Sequence, residues 1–195
     1  FGEYFDIQTS YTFPFPDGNF VTNDSIKVFL SLAGRGDVPS YYTWNINGIS
    51  NTFSVQAVQT YNYLADYAAI GNQCIVIPNN SNSNSISVNV TKNTSNAVAW
   101  MDKVIVNARR YLVYNNKAFE FSDKRTVASN QITTYSITAF NPNILNIWDI
   151  TDYIHPLNQQ FTSYTNYRTF NAPSDSLHRY IVFSLNDVQK PQFIK

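Results

Sequence analysis

The stretch that decides the fold is residues 41–55, which reads YYTWNINGISNTFSV. Every second residue is apolar in 42–46 and again in 53–57, and the dipeptide Asn47-Gly48 lies between these two runs. Alternation with a period of two is typical of a β-strand that has one buried face. Both Asn and Gly tolerate positive φ, so an Asn-Gly between two such runs predicts a β-hairpin. Residues 49–52 do not alternate clearly, so the sequence does not determine which residues of the two strands pair.

Working outward from this hairpin, the same alternation recurs along the chain. Further strands are predicted within residues 5–15, 26–32, 74–77, 86–90, 98–114, 132–139, 145–150, 161–170 and 180–183. Many short strands separated by turn signals are typical of a sandwich or barrel. We therefore expect an all-β fold: one antiparallel β-sandwich of the jelly-roll or galactose-binding type, spanning residues 1–195 as a single domain. Residues 58–70 fit a short helix or an irregular segment equally well.

Composition narrows the functional class. Thirteen basic and thirteen acidic residues give a formal net charge of +0, which argues against a nucleic-acid-binding surface. A single cysteine excludes an intrachain disulfide and a multi-cysteine zinc site. No apolar run approaches the length of a membrane span, so we expect no membrane insertion. Gly-rich phosphate loops and metal-ligand spacings are not evident, and we expect no cofactor.

The residues best suited to catalysis do not form a recognisable catalytic pattern. Cys74 begins the apolar run Cys-Ile-Val-Ile, so we expect a buried core thiol rather than a nucleophile with His155 or His178 as its base. Asp149 and Asp152 are three residues apart, and nothing distinguishes their environments as a glycosidase pair would require. We expect Asp149 to accept backbone hydrogen bonds in the turn after its strand. No residue of the chain is assigned a catalytic role.

One carboxylate falls on an apolar face of a predicted strand. Asp102 alternates in phase with Trp100 and Val104, so it falls on the same predicted face of the strand. Burying a carboxylate without a partner costs on the order of several kcal/mol, because the group loses its hydration. We therefore expect a partner from a neighbouring strand, such as Arg168 or Arg179. The residues assigned to this structural polar lock are Asp102, Arg110 and Asp149.

The high aromatic content allows a second interpretation, because Tyr and Trp rings can stack on the CH groups of sugars. The candidates are Tyr41, Tyr42, Trp44, Tyr61, Tyr63 and Tyr67, of which Trp44, Tyr42 and Tyr61 are singled out. The alternative is that these rings pair with one another and stabilise the faces of the sheets.

Four segments together resemble PorU-type proteins, which are gingipain-family cysteine peptidases that act as the sortase of the type IX secretion system. The opening FGEYFD (1–6) resembles the family's Trp-Tyr-Gly-Glu-x-Phe, and AWMDKVIVNARR (99–110) resembles its Trp-Leu-Asp-Tyr-Ile-x-x-x-x-x-Arg. IWDITD (147–152) resembles Val-Trp-Asp-Val-Thr, and RYIVF (179–183) resembles the strand before the catalytic domain. The departures are Phe1 for Trp-Tyr, Met101 for Leu and Lys103 for the aromatic residue.

The resemblance implies a non-catalytic sandwich upstream of a caspase-like peptidase domain, excised here from a larger chain. In that family a Cys–His dyad of the downstream domain cleaves a sorting signal from secreted cargo, and no segment of this chain matches the dyad motifs. The implied partners are the peptidase domain and other secretion-system proteins. The implied location is the bacterial outer membrane, cell surface or periplasm. The alternative function is a carbohydrate-binding jelly-roll module of a bacterial surface enzyme, with a glycan as partner.

Overall fold

The computed structural model describes residues 2–16, 18–80 and 85–189, and these fall into two compact units. The first unit is Phe1–Arg110 and the second is Tyr111–Lys195. The described residues form β-strands and three short 3₁₀ turns, with no α-helix among them. The prediction of an all-β fold is therefore confirmed.

The described residues of the first unit form eight strands. They are β1 (Tyr4–Phe5), β2 (Ser10–Phe15), β3 (Asp24–Arg35), β4 (Ser40–Ile46), β5 (Ile49–Val55), β6 (Ala69–Asn79), β7 (Ile86–Lys92) and β8 (Val98–Ala108). Their order is β1-β8-β3-β6 in one sheet and β2-β7-β4-β5 in the other, and all of the pairings are antiparallel. Two four-stranded sheets joined in this order are a jelly roll, so this unit has the predicted architecture.

The core of the jelly roll consists of the inward side chains of both sheets. The first sheet contributes Phe5, Ile26, Val28, Leu30, Leu32, Ile75, Ile77, Ala99 and Met101, and the second contributes Tyr42, Trp44, Ile46, Val55, Ile86, Val88 and Val90. Burial alternates along the strands as the period of two requires. The apolar residues that carried the sequence pattern are thus the ones that hold the two sheets together.

The predicted hairpin is confirmed, and its register is now fixed. Ile46 pairs with Ile49, and Asn47 and Gly48 have φ of 50° and 84°. Two consecutive residues with positive φ are what a two-residue hairpin turn with the twist of the flanking strands requires. Residues 58–68, by contrast, form turns and bends rather than a helix, and β6 begins at Ala69.

Strand β8 contains a β-bulge that the sequence pattern did not predict. Ser31 of β3 pairs with Lys103 and Leu32 pairs with Met101, so Asp102 is the extra residue. Before the bulge Met101 faces the core, whereas after it Val104 packs against the core. Because an added residue reverses the phase of alternation, Trp100 and Val104 lie on opposite faces rather than on one.

Residues 111–189, the described part of the second unit, also form eight strands. They are β9 (Val113–Tyr114), β10 (Phe119–Phe121), β11 (Ile132–Ala139), β12 (Leu145–Asp149), β13 (Leu157–Asn158), β14 (Thr162–Ser163), β15 (Tyr167–Pro173) and β16 (Tyr180–Ser184). One sheet has the order β10-β16-β12-β13 and the other β14-β15-β11-β9, with β9 parallel to β11. The core is rich in aromatic rings, including Phe121, Tyr135, Phe170 and Tyr180. Each unit has its own core, and the expectation of a single domain over residues 1–195 stays a prediction.

Candidate functional site

The outer side of the sheet β1-β8-β3-β6 has two rows rich in apolar residues, separated by the polar row Asn72, Ser31 and Lys103. In one row across the sheet Phe29 pairs with Cys74 on one side and with Ile105 on the other. In the row containing Ala33, the flanking residues are Ile70 and Trp100. We call the residues Phe29, Ile70, Cys74, Val76, Trp100 and Ile105 the apolar face. Ile70, Val76 and Ile105 are 73%, 64% and 47% exposed.

The outer side of the other sheet has two adjacent rows of polar residues. One row across β2-β7-β4-β5 is Ser10, Thr91, Thr43 and Thr52, and the next is Thr12, Asn89, Asn45 and Ser50. We call these eight residues the polar face. Its hydroxyl and amide groups bond to one another, for example Thr43 Oγ1 with Thr52 Oγ1 at 2.9 Å and Asn89 Nδ2 with Thr12 Oγ1 at 3.0 Å. Neighbours along the sheet thus satisfy part of the hydrogen-bonding capacity of this face.

At one edge of the apolar face, aromatic rings meet an anchored loop. The Trp100 ring lies 5.3 Å from that of Tyr4 and 6.0 Å from that of Tyr67. The Arg35 guanidinium lies 4.2 Å from the Tyr67 ring centroid and donates to the carbonyl oxygens of Tyr67 and Thr60, at 2.6 and 3.2 Å. A cation over a ring and two charge-assisted hydrogen bonds hold this loop to β3.

Asp37 fixes the same loop from its other side. Its carboxylate accepts hydrogen bonds from the backbone N–H and the hydroxyl of Thr60. These bonds lower the pKa of the Asp37 carboxyl below its ordinary value. Residues 56–68 are therefore an anchored irregular loop, which explains why helical spacing in the sequence did not produce a helix.

Burial separates the six sugar-stacking candidates into two groups. Tyr42 and Trp44 are 0% and 4% exposed and belong to the core, so the prediction that they stack on a ligand is wrong. Their polar atoms are occupied, with Tyr42 Oη 3.1 Å from Ser40 Oγ and Trp44 Nε1 donating to Gln73 Oε1 at 2.8 Å. Exposed rings remain at Tyr41, Tyr61, Tyr63 and Tyr67, and the last three belong to the anchored loop.

The predicted polar lock is not formed as expected. Asp102 is exposed on the bulge, 3.5 Å from Lys103 Nζ, and the side chains of both residues are more than half exposed. A surface ion pair of this kind contributes about 0–1 kcal/mol. Arg110 is half-buried and forms an isolated bridge with Phe20. The error arose because the bulge changed which side of β8 each residue faces.

Asp149, the third residue of that set, is the centre of a polar cluster in the second unit. Its Oδ1 accepts from the backbone N–H and the hydroxyl of Thr151 at 2.9 and 2.6 Å, as expected for the turn after its strand. Its Oδ2 accepts from His178 Nδ1 at 2.6 Å. Burial raises the pKa of the Asp149 carboxyl, but the bonds from Thr151 and His178 outweigh it, and the pKa lies below its ordinary value.

The order carboxylate, imidazole, hydroxyl continues from His178 to Ser176, because His178 Nε2 and Ser176 Oγ are 3.2 Å apart. Hydrolases use this order of groups, but they also need donors aimed at the developing oxyanion. Ser176 is exposed and is separated from His178 by a single residue. We interpret the cluster as a structural link between residues 149–151 and residues 176–179. A further hydrogen bond joins these segments, because Arg179 N donates to Thr151 Oγ1 at 2.9 Å.

The single thiol is exposed, which corrects the prediction of a buried core cysteine. Within Cys-Ile-Val-Ile, Ile75 and Ile77 face the core while Cys74 and Val76 face outward. The histidines contact carboxylates instead, since His155 Nδ1 lies 2.9 Å from Asp152 Oδ2. Among the described residues, no cluster of three His, Cys, Asp or Glu side chains could hold a metal.

Two buried cations bond to backbone carbonyl oxygens, which the sequence did not indicate. Lys92 Nζ donates to the carbonyl oxygens of Asp6 and Ala97 at 3.1 and 2.6 Å, and Arg168 donates to the carbonyl oxygen of Leu145. Both residues are 5% exposed, and burial lowers the pKa of the Arg168 guanidinium. Each lies in phase with the inward apolar residues of its strand, so the alternation of residues places both on an inward face.

The described residues include no helix long and apolar enough to cross a membrane. The two units and their sheets define the chain as a β-sandwich protein.

The sequence matches no protein-family model and no curated protein. Among solved structures it is similar to the crystal structure of dimeric latent PorU from Porphyromonas gingivalis, with a TM-score of 0.80 and 16% sequence identity. The similarity covers 99% of this chain and 19% of the PorU chain.

Proposed function

We propose that the chain is a non-catalytic accessory part of a PorU-like, gingipain-family cysteine peptidase, and that it positions the peptidase domain and contacts secretion partners. The observation that carries this proposal is the similarity in fold to PorU over 99% of this chain, which corresponds to 19% of the PorU chain. The four sequence segments that resemble the family add support, because they occur in the family's order. The proposed location is the bacterial outer membrane, cell surface or periplasm.

The positions of the reactive groups agree with an accessory role. Cys74 faces outward on β6, and the imidazoles of His155 and His178 contact the carboxylates of Asp152 and Asp149. A cysteine nucleophile requires a neighbouring base or another group that favours the thiolate. We therefore assign no catalytic step to this chain and attribute peptide cleavage to a separate peptidase domain.

The test is peptidase activity of the complete protein on a peptide that carries a cargo sorting signal. We expect Cys74→Ser to retain the full rate, whereas substitution of a cysteine in the peptidase domain abolishes it. Loss of turnover on Cys74→Ser, with the fold retained by circular dichroism, would contradict the proposal. A complete protein that contains no peptidase domain would contradict it as well.

A second candidate function is carbohydrate binding. The observation that favours it is the group of exposed rings at Tyr61, Tyr63 and Tyr67 on the loop anchored by Arg35 and Asp37. A rigidly held ring loses little conformational freedom when it stacks on a sugar. Binding to a glycan array that is lost on Tyr61→Ala would support this function.

A further inference from the structure

We propose that the outer side of the sheet β1-β8-β3-β6 binds a neutral oligosaccharide, in a groove that runs along β3. This inference goes beyond the accessory role and does not depend on it. It rests on the second candidate function only for the class of ligand. The binding site it names is a different one, because it lies on the sheet beside the anchored loop rather than at the exposed tip of that loop.

Short side chains on the central strand form the floor of the groove. Ala33 and Ser31 are neighbours on the outer side of β3, two residues or about 7 Å apart along the strand. Ala33 lies between Ile70 of β6 and Trp100 of β8, and Ser31 is the middle residue of the polar row. Because the flanking side chains are longer, the surface is recessed along β3.

Aromatic rings line one side of this groove. Tyr4 pairs with Trp100 across β1 and β8, and Tyr67 of the anchored loop reaches Trp100 as well, with ring centroids 5.3 and 6.0 Å apart. Tyr4 and Tyr67 are exposed and Trp100 is half-buried. Surface rings offer apolar area on which the CH groups of a sugar can stack. Arg35 already holds Tyr67, so this ring loses little conformational freedom on binding.

The polar row beside the rings supplies hydrogen-bonding groups. Ser31 is only 5% exposed, and within the described residues the structure records no hydrogen bond from its hydroxyl. A nearly buried hydroxyl without a partner carries a free-energy cost that a ligand hydroxyl would remove. Asn72 is exposed next to it and can both donate and accept. Apolar ring faces beside hydroxyl and amide groups match a sugar, which has CH groups on its faces and hydroxyls around its edge.

The charges beside the groove favour a neutral sugar over an acidic one. Lys103 Nζ lies 3.5 Å from Asp102 Oδ2. The Arg35 guanidinium lies over the Tyr67 ring and donates to the carbonyl oxygens of Tyr67 and Thr60. A carboxylate or sulfate on the sugar would have to compete with these partners for either cation, and it would also face the Asp102 carboxylate.

The test is isothermal titration of the complete protein with neutral hexasaccharides of glucose, mannose, galactose, xylose and N-acetylglucosamine. We expect saturable binding to at least one of them. Trp100→Ala should weaken that binding by about tenfold or more, because the stacking surface is lost. Trp148→Ala removes another partly exposed tryptophan, from the second unit, and should leave the affinity unchanged.

A second pair of variants tests the polar row. Asn72→Ala should weaken binding by about fivefold, on the scale of one lost hydrogen bond. Asn107→Ala is the matched control, because Asn107 is exposed on the same side of the sheet but pairs with Lys27, outside the polar row. Trp100→Phe keeps an aromatic ring and should retain most of the affinity. Circular dichroism and thermal unfolding verify that each variant is folded.

The outcomes separate this site from the functions proposed above. The site would be overturned if none of the five sugars binds saturably, or if Trp100→Ala and Trp148→Ala lose equal affinity. Tighter binding of an oligogalacturonate than of the galactose hexasaccharide would overturn the choice of a neutral ligand. Binding that is lost in Tyr61→Ala and unchanged in Trp100→Ala would overturn this site and leave the second candidate function in place. The accessory role is tested separately, by the peptidase activity of Cys74→Ser.

Discussion

At the scale of single residues, two aspartates show what a sequence can and cannot indicate. Asp102 and Asp149 were both assigned to a structural lock, yet one is exposed and the other has a side chain only 11% exposed. The turn after Asp149 was predictable, because a carboxylate that bonds the backbone two residues later is a local motif. Its bond to His178 was not, because the partner is 29 residues away and the pairing depends on the packing of β12 beside β16.

Removing the partner of a buried carboxylate should destabilise the protein. We expect His178→Ala and Asp149→Asn each to lower the free energy of unfolding by about 1–3 kcal/mol, because each leaves buried polar atoms without their hydrogen bonds. Chemical denaturation followed by intrinsic fluorescence measures this change. Ser176→Ala is the control and should change stability by less than about 0.5 kcal/mol, since Ser176 is exposed. An equal loss of unfolding free energy in this control would contradict the assignment of the Asp149–His178 pair as the stabilising link.

The stability supplied by Asp149 should depend on pH. Its pKa is lowered in the folded protein, so its contribution is complete above the unfolded-state pKa of about 3.9 and is lost as pH falls through the folded-state value. We expect the difference in unfolding free energy between the native protein and Asp149→Asn to shrink as pH falls from 6 toward 3. Urea titrations at several pH values measure it, and a difference that grows on acidification would contradict this sign.

At the scale of elements, the alternation of apolar residues predicts where the strands lie. It predicts which side of the sheet each residue faces only where the strand pairing contains no bulge. The hairpin at Asn47-Gly48 was predictable because turn chemistry and patterning agree there. The bulge at Asp102 was not, because a single inserted residue leaves both halves of β8 with normal strand patterns. In residues 58–68, contacts from Arg35 and Asp37 determine a loop conformation that local spacing does not show.

The bulge gives a prediction in which deletion and substitution both have small effects. Asp102→Ala removes only an exposed side chain, so we expect a change in unfolding free energy of less than about 0.5 kcal/mol. Deleting Asp102 removes the extra residue and leaves Met101 and Lys103 as consecutive partners of Leu32 and Ser31, so Val104 and Val106 keep facing the core.

We therefore expect the deletion to change the free energy of unfolding by less than about 1 kcal/mol, well below the cost of losing several buried side chains. Thermal unfolding of the two variants beside the native protein measures both effects. A melting temperature for the deletion far below that of the substitution would show that β8 needs the extra residue to keep its core register.

At the scale of the whole molecule, composition and turn spacing were enough to predict an all-β sandwich, and the jelly-roll order of the first unit agrees. The division near Arg110 was not predictable, since no Pro-, Gly- or Ser-rich linker marks it. The sequence also did not show which apolar residues face outward. Cys74 and Ile75 are adjacent apolar residues on opposite sides of one strand, and only the pairing of β6 with β3 shows which of them faces the core.

The alternative glycan-binding function makes a separate prediction about the aromatic residues. Trp44 packs in the core and bonds to Gln73, so Trp44→Ala should lower the unfolding free energy by about 3–5 kcal/mol. Tyr61 is 81% exposed, and Tyr61→Ala should leave stability within about 0.5 kcal/mol of the native value. Denaturant titration measures both. Because Trp44→Ala acts through folding, any loss of glycan binding in that variant would carry no information about the site. Tyr61→Ala is the informative variant, and a large loss of stability in it would contradict an exposed ring on an anchored loop.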